Sequence, residues 1–336
     1  MKSYQLENLP NDLIVILNQN ADFFTTFSWY QLFVKTLNPT NYDFLVDENA
    51  GVILPIKYEN SPFSRTLLSL SNFYSPIYRI PNSQKLANLL KHQKSWDVLR
   101  LQPLSENDAT EIVTQLKNSS IPALTYFCFG NWYLDVNGRS FEDYFSGLSS
   151  RVKNTVERKT KKFFAMPNTS LKIISENHNL DVAISDYNRV YQASWKQEES
   201  HPDFISGLCY LAASQNALRL GIAYVDDVAI AAQLWIVADK TAYIYKLAYD
   251  EAYKNLGVGS ILTAKLMRHV MDVDKVTKVD YLTGDDAYKK DWMSHRQERF
   301  GIVAFNTKTL RGLLQMSKAF AVFFLKKLLT LRKISC

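Results

Sequence analysis

One short stretch of the chain, GDDAYKKDW (284–292), combines the residue types that a transfer reaction needs. Adjacent carboxylates repel each other, so one of them can have a raised pKa and act as a general base. A tyrosine can protonate a leaving group, and a lysine can hold an anion or orient the carboxylates. We predict these catalytic residues: Asp285, Asp286, Tyr288 and Lys289. A plain helix N-cap is the alternative interpretation of one of the two aspartates.

A second stretch, SWKQEESHPDF (194–204), carries charged and aromatic side chains suited to binding an acceptor. Trp195 and Glu199 are four residues apart, which is one turn of a helix, so they can line one side of a cleft. The spacing alone leaves this open, and a family resemblance of the surrounding sequence is what favours substrate binding by Trp195, Lys196 and Glu199. A helix end with exposed charges is the alternative. His201, just before a proline, is a possible base or an ordinary loop residue.

Three further residues are predicted to bind the substrate. Lys246 lies in a strand-like segment where Tyr243, Tyr245, Leu247 and Tyr249 alternate with Ile244, Lys246 and Ala248. A lysine in a central strand is costly unless it has a partner, and Asp250 at the strand end is a plausible one. Trp292 follows Tyr288 by four residues, which predicts the same helix face. It is either a core anchor or a platform for a sugar.

Gly257 and Gly259 come directly before an apolar, helix-like segment, in KNLGVG (254–259). Without side chains, the amides at a helix N-terminus are open to an anion such as a pyrophosphate. A tight turn alone would also explain the two glycines. A dinucleotide-binding turn would follow the first strand of a βαβ unit, and a P-loop would need Gly-Lys-Ser/Thr. Neither pattern is present here.

The elements that must position these residues form a mixed α and β order. The first half is aromatic-rich, with strands around a hairpin turn at 48–51 and short helices. The second half predicts helix, strand, two helices, three antiparallel strands with turns at Asp226-Asp227 and Asp239-Lys240, the glycine turn, a helix and a strand. We place domain limits at 1–140, 141–308 and 309–336, the last being a basic amphipathic helix.

Net charge, cysteine spacing and the length of apolar runs limit the functions that the sequence supports. The net charge is +6. This is compatible with an anionic partner but is too small to indicate one. Cys128, Cys209 and Cys336 have no metal-binding spacing, and no metal is predicted. No apolar run reaches the roughly 20 residues of a membrane span. We expect a cytoplasmic protein.

Two basic segments have open interpretations. The helix at 151–162 is either an anion cradle or a solvated face. The C-terminal helix either packs on the domain or lies on an anionic membrane surface. Its cations include Lys318, Lys326, Lys327, Arg332 and Lys333.

The glycine turn resembles the GNAT acyltransferase pattern Q/R-x-x-G-x-G/A, with Lys254 where Gln or Arg is usual. The segments SWKQEE, AIAAQLWI, AYDEAYKNLGVGSIL and DYLTGDDAYKKDWM make the chain similar to bacterial CelD-type acetyltransferases of polysaccharide biosynthesis, relatives of the FemABX proteins. This resemblance covers about residues 145–305. It implies an α+β fold of two GNAT-like lobes, each a largely antiparallel sheet flanked by helices.

The same resemblance implies acetyl-CoA or another acyl-CoA as co-substrate and a sugar or amine acceptor, such as a cell-envelope precursor. The implied coenzyme-binding residues are Leu247, Ala248, Lys254, Asn255, Leu256, Gly257, Val258, Gly259 and Ser260. Two alternatives stay open. One is a FemABX-like transferase that uses aminoacyl-tRNA, and the other is a non-catalytic binding module on the same fold.

Overall fold

The computed structural model describes residues 2–19, 21–93 and 95–334, with side chains up to residue 323. The chain forms two compact units, one made of Met1–Gln31, Pro39–Phe129 and Glu298–Cys336, the other of Leu32–Asn38 and Gly130–Gln297. They divide the chain at Gly130 and Glu298, whereas the sequence analysis placed domain limits after residues 140 and 308. Each unit has its own hydrophobic core.

The helices and strands follow one another in this order: β1 Lys2–Tyr4, α1 Asn11–Asn18, α2 Phe27–Leu37, β2 Tyr42–Asp47, β3 Val52–Ser61, β4 Ser64–Ser69, α3 Leu86–His92, β5 Val98–Leu104, α4 Glu106–Asn118, β6 Ala123–Asp135, α5 Phe141–Ser146, α6 Ser150–Phe164, β7 Thr169–Ile174, α7 Leu180–Gln192, α8 Pro202–Ser214, β8 Leu218–Val225, β9 Val228–Ala238, β10 Thr241–Tyr249, α9 Val258–Asp272, β11 Lys278–Asp280, β12 His295–Phe305 and α10 Leu310–Ile334.

The first unit contains β1 to β5 and the parts of β6 and β12 that fall within it. Neighbouring strands pair in the order β1-β2-β3-β4-β5-β12. The pairs are antiparallel except β4–β5, which is parallel. The predicted hairpin turn at 48–51 joins β2 to β3, with Gly51 at a φ of +65°. Leu54, Leu99 and Leu116 are fully buried in this unit's core.

The second unit holds most of the predicted chemistry. Its strands pair in the order β6-β11-β10-β9-β8-β7, antiparallel except for the parallel pair β10–β11. Helices α6 and α9 pack against each other, and α7 packs on α8 and β9. The sheet is thus covered by apolar helix faces, and the fold is mixed α/β and GNAT-like, as the sequence predicts.

The two predicted hairpin turns of the meander are confirmed. Asp226 and Asp227 have φ values of +49° and +60°, and Asp239 and Lys240 have +47° and +56°. Two consecutive residues with positive φ make the turn that suits the twist of a two-residue hairpin, and aspartate tolerates this conformation better than most residues. These turns fix the antiparallel order β8, β9 and β10.

Two helix predictions are wrong. Helix α7 ends at Gln192, so residues 193–201 form a non-helical loop. Of the stretch 284–292, only Lys289–Asp291 is helical, as a single 3₁₀ turn. The sequence predicted that Trp195 and Glu199 share one helix face and that Tyr288 and Trp292 share another. Neither pair lies in a continuous helix, so these two predictions do not hold.

Helix α10 forms where the sequence predicts a C-terminal helix, with Lys318 exposed. The predicted membrane contact also depends on Lys326, Lys327, Arg332 and Lys333, whose side chains lie outside the described residues, as does Cys336. No helix in the described part of the chain is both long and apolar enough to cross a membrane.

Candidate functional site

The second unit's sheet opens between β10 and β11. The described ladder between these parallel strands runs from Thr241 to Tyr243, and β11 ends at Asp280. Strand β10 continues to Tyr249 and stays paired with β9 on its other side. Beyond Tyr243, the edge of β10 that faced β11 is therefore available to an extended ligand, which such an edge can hold by backbone pairing.

A one-residue bulge in β10 sets the direction of the side chains that follow. Ile244 is opposite Trp235, and Lys246 is opposite Leu234, so the register shifts at Tyr245. Side chains opposite each other share a face, and neighbours in a strand point to opposite faces. Ile244 and Lys246 therefore lie on opposite faces, where simple alternation predicted the same face. Leu247, opposite Gln233, points away from Lys246.

A cavity of about 480 Å³ lies at this opening. The predicted coenzyme-binding residues that line it are Leu247, Lys254, Gly257, Val258, Gly259 and Ser260. The predicted substrate or catalytic residues that line it are Trp195, Tyr288 and Trp292. The other three predicted coenzyme residues lie elsewhere: Ala248 is buried, Leu256 packs on the core, and the carbonyl of Asn255 accepts a hydrogen bond from Lys159.

The glycine turn is built around Gly257, whose φ is +67°. A Cβ at this position would lie 3.0 Å from Cγ of Lys159, which crosses the turn from α6. Helix α9 begins at Val258, so its first amides, which have no acceptor within the helix, are at the cavity wall. At Gly259 a Cβ would meet only a Tyr249 ring carbon, at 3.6 Å. The wall is open enough for an anion at the positive end of the helix.

Gln233 was missed by the sequence analysis. It is buried on β9, and its amide donates to the carbonyl oxygen of Gly259 at 3.0 Å and to Oγ1 of Thr263 at 2.9 Å. Its own oxygen accepts from Nε1 of Trp235 at 3.0 Å. These bonds hold the first turn of α9 against the sheet. The signal in the sequence was one polar residue within the apolar run AIAAQLWI.

Aromatic side chains form two walls of the cavity. Trp195 stacks on Tyr249 with ring centroids 4.4 Å apart, and Tyr281 meets Tyr288 edge to face at 5.8 Å. Burial raises the pKa of Tyr288 to about 12, and the nearby Asp286 carboxylate adds to this. Its phenol is therefore protonated at neutral pH and can act as a proton donor. Trp292 is buried in the core and also touches the cavity.

Asp285 does not have the raised pKa expected of a base. Its carboxylate accepts from Arg296 at 2.8 Å and from Nε1 of Trp132 at 2.7 Å. The hydrogen bonds from Arg296, and then that from Trp132, hold the pKa of Asp285 below its ordinary value. A Cβ on Gly130 would lie 2.9 Å from this carboxylate, so the pair is closely packed. This arrangement anchors the loop and leaves the carboxylate ionised.

Lys289 is nearly fully buried and orders the same loop. Its ammonium donates to the carbonyl of Thr283 at 2.6 Å and lies 3.5 Å from the exposed carboxylate of Asp286. Burial lowers the pKa of Lys289, and Asp286 opposes that shift. Gly284, with a φ of +110°, brings the chain close to the ammonium. Lys289 thus lies beside Asp286, and the two roles predicted for it, holding an anionic group or orienting the aspartates, stay predictions.

The partner found for Lys246 is Glu199, at 2.7 Å, where the sequence analysis favoured Asp250. Asp250 instead accepts from the amide of Ala252 at 2.9 Å and lies 3.8 Å from Arg189. The loop that follows α7 brings Glu199 to the sheet, and no local pattern predicts such a contact. His201 is the N-cap residue of α8.

Other charges surround the site. Arg151 of α6 lines the cavity and pairs with Asp291 at 2.6 Å. Lys254 is exposed and lies 3.7 Å from Glu251. Among the side chains that the structure describes, no group of three or more His, Cys, Asp or Glu is placed to hold a metal ion.

Comparisons with known proteins agree with this geometry. Residues 150–290 match the family model of the acetyltransferase (GNAT) domain. The comparison with curated proteins gives no match.

Three solved structures have a similar fold. FemX has a TM-score of 0.62 at 11% identity, covering 93% of this chain and 99% of that one. L-PGS from Bacillus licheniformis has 0.54 at 7%, covering 94% and 97%. The C-terminal domain of a putative lysylphosphatidylglycerol synthetase from Agrobacterium fabrum has 0.52 at 9%, covering 92% and 96%. Identities this low show the fold alone.

The CelD-type relationship stays a prediction from the sequence. The residues that carry it lie mostly within 150–290. The GNAT domain model that matches this segment describes a broader class than the CelD type. Residues 150–290 of this chain match the model of the acetyltransferase (GNAT) domain, and the chain as a whole has a fold similar to that of FemX.

Proposed function

We propose that the protein is an acyl-CoA-dependent transferase that moves an acyl group, acetyl in the simplest case, to an amine or hydroxyl of a sugar or cell-envelope precursor. One observation carries this proposal. The glycine turn at the start of α9 and the part of β10 that extends past its ladder with β11 line the same cavity. The turn suits a diphosphate, and the strand edge suits the amide-containing arm of coenzyme A.

The chemistry needs few groups from the protein. The acceptor nitrogen or oxygen attacks the thioester carbonyl, the carbon–sulfur bond breaks, and the thiolate takes up a proton. Tyr288 lines the cavity in its protonated form and is our candidate for that donor. Lys289 and Asp286 act as positioning residues in this scheme. Holding the two substrates together supplies much of the rate, so a dedicated base is not required.

Calorimetric titration with acetyl-CoA tests the proposal. We expect saturable binding by the wild type and a loss of about 10-fold or more in Gly259→Glu, because its carboxylate would repel the diphosphate at the cavity wall. The matched control is Lys265→Glu, on the exposed face of the same helix, which should keep wild-type affinity. Absence of binding by the folded wild type would refute the proposal.

A second candidate is a FemABX-like transferase that uses aminoacyl-tRNA. The exposed basic face of α6, with Arg158 and Lys161, supports it, as does the fold shared with FemX. This function predicts tRNA binding whose affinity falls steeply as salt is raised, and falls further in the double variant Arg158→Glu, Lys161→Glu. Salt-independent or undetectable tRNA binding would exclude it.

A further inference from the structure

A cluster of three lysines lies near the cavity, and one of them lacks a carboxylate of its own. Lys246 pairs with Glu199 at 2.7 Å, and Lys289 lies 3.5 Å from Asp286. The third is Lys196. Its ammonium nitrogen lies 5.7 Å from the ring centre of Tyr191 and 5.8 Å from that of Trp195. Among the described residues, no hydrogen bond or ion pair is seen for the Lys196 ammonium, which contacts these two rings.

The three ammonium groups act on one another. Lys246 lies over the same Tyr191 ring, 5.4 Å from its centre. Burial, and then the charges of Lys246 and Lys289, lower the pKa of Lys196 to about 8, although Asp286 and Glu199 oppose this. Tyr191 stays neutral, since burial and then Glu199 raise its pKa to about 12. With the three lysines protonated and with Glu199 and Asp286 ionised, these five groups together carry a net charge of one positive unit.

Lys246 lies on the face of the sheet opposite the glycine turn. Leu247 lines the cavity together with Gly257 and Gly259, and Lys246 points to the opposite face because of the bulge. The loop 193–201 connects the two sides, with Trp195 in the cavity wall and Lys196 beside Tyr191. A coenzyme bound at the glycine turn would therefore leave the cluster free for the other substrate.

We propose that the acceptor carries an anionic group, a carboxylate or a phosphate, that binds at Lys196 between Lys246 and Lys289. This inference rests on the transferase function proposed above. Lys246 and Lys289 are already held by Glu199 and Asp286, so Lys196 makes the direct ion pair. The rings of Tyr191 and Trp195 limit its access to water, which strengthens that pair. A neutral amine or sugar would leave the positive charge of Lys196 without an anion, which is why we favour an anionic acceptor.

The test uses the full-length protein with its lysines labelled as ¹³C-dimethyl-lysine, and the Lys196 resonance assigned from Lys196→Arg. Its pH titration is followed by NMR in sodium chloride, inorganic phosphate and acetate at matched ionic strength, each with saturating acetyl-CoA. An anion beside the ammonium should raise the pKa of Lys196 by about 1 or more. Lys265, exposed on α9, serves as the internal control.

Phosphate binding is also measured by calorimetry in Lys196→Met and in Lys265→Met. We expect a loss of about 10-fold or more in the first, the value of one charge-assisted contact, and no change in the second. A response to phosphate alone or to acetate alone identifies which anion the acceptor carries.

Three outcomes would overturn the inference: no response of Lys196 to either anion, unchanged phosphate binding in Lys196→Met, or displacement of phosphate by acetyl-CoA. The last would assign the lysines to the coenzyme. A protein that binds phosphate at Lys196 but does not bind acetyl-CoA would refute the proposed transferase function and leave the anion site standing.

Discussion

Replacing Glu199 with glutamine should destabilise the protein, because it leaves Lys246 without its carboxylate beside two further lysines. The side chains of Lys246 and Glu199 are only 17% and 11% exposed, and their charged atoms are 2.7 Å apart. A glutamine has nearly the same shape as glutamate, and its amide oxygen can still accept a hydrogen bond. The substitution therefore removes the charge and little else.

The size of the effect follows from this geometry. Two unit charges about 4 Å apart attract by about 4 kcal/mol at the effective dielectric of roughly 20 found near protein surfaces. Breaking a mostly buried pair by removing one partner costs about 3–5 kcal/mol, since the other charge stays buried. The slight exposure of both groups favours the lower end, about 3 kcal/mol. For a chain of 336 residues, an unfolding entropy of about 2.1 cal/mol/K per residue amounts to about 0.7 kcal/mol/K, so the loss lowers the Tm by roughly 4 °C.

Differential scanning calorimetry at pH 7 measures this change in Glu199→Gln, in Lys246→Met and in the double variant. The double variant should regain most of the lost stability, since no unpaired charge remains. Lys265→Met controls for loss of an exposed lysine. The reasoning fails if Glu199→Gln melts at the wild-type temperature, or if the double variant melts no higher than Glu199→Gln.

Three further predictions concern single positions. Gly284→Ala should lower the free energy of unfolding by about 1–3 kcal/mol, because φ is +110° and the new Cβ would lie 3.1 Å from Nζ of Lys289; urea denaturation showing wild-type stability would contradict this. Tyr288→Phe should reduce kcat by about 10²-fold or more while acetyl-CoA affinity is kept, and unchanged turnover in steady-state assays would remove Tyr288 as the proton donor. Burial alone would raise the pKa of Asp97, but hydrogen bonds from Arg65 outweigh it and hold that pKa at about 2. The resulting stability is present above the ordinary value of 3.8 and is lost as the pH falls toward 2, so acid unfolding should be less steep over this interval in Asp97→Asn.

Local patterns predicted much of the second unit. The paired aspartates at 226–227 predict a turn because they tolerate positive φ, and both adopt it. The two glycines before an apolar segment predict an open helix N-terminus, and Gly257 has the left-handed conformation that requires glycine. These inferences succeed because the interactions involved lie within a few residues of each other.

Contacts between distant residues were not predictable in the same way. Asp285 is bound by Trp132, 153 residues earlier in the chain, and by Arg296 on the following strand. Nothing in GDDAYKKDW distinguishes this aspartate from Asp286, yet Asp285 is held by Arg296 and Trp132 whereas Asp286 lies 3.5 Å from the buried Lys289. The partner of Lys246 likewise comes from a loop 47 residues earlier. Tertiary packing decides which partners each carboxylate has.

The extra residue at Tyr245 has a consequence for how related sequences should be read. It reverses which face of the sheet each later residue of β10 points to. The residue that faces Glu199 and Tyr191 is therefore set by the number of residues in the strand as well as by side-chain type. In a homologue lacking one residue here, the side chain that directly follows the equivalent of Ile244 would lie where Lys246 now lies, and an ungapped alignment would place it under Tyr245. Alignments of this strand must therefore be anchored separately on either side of Tyr245.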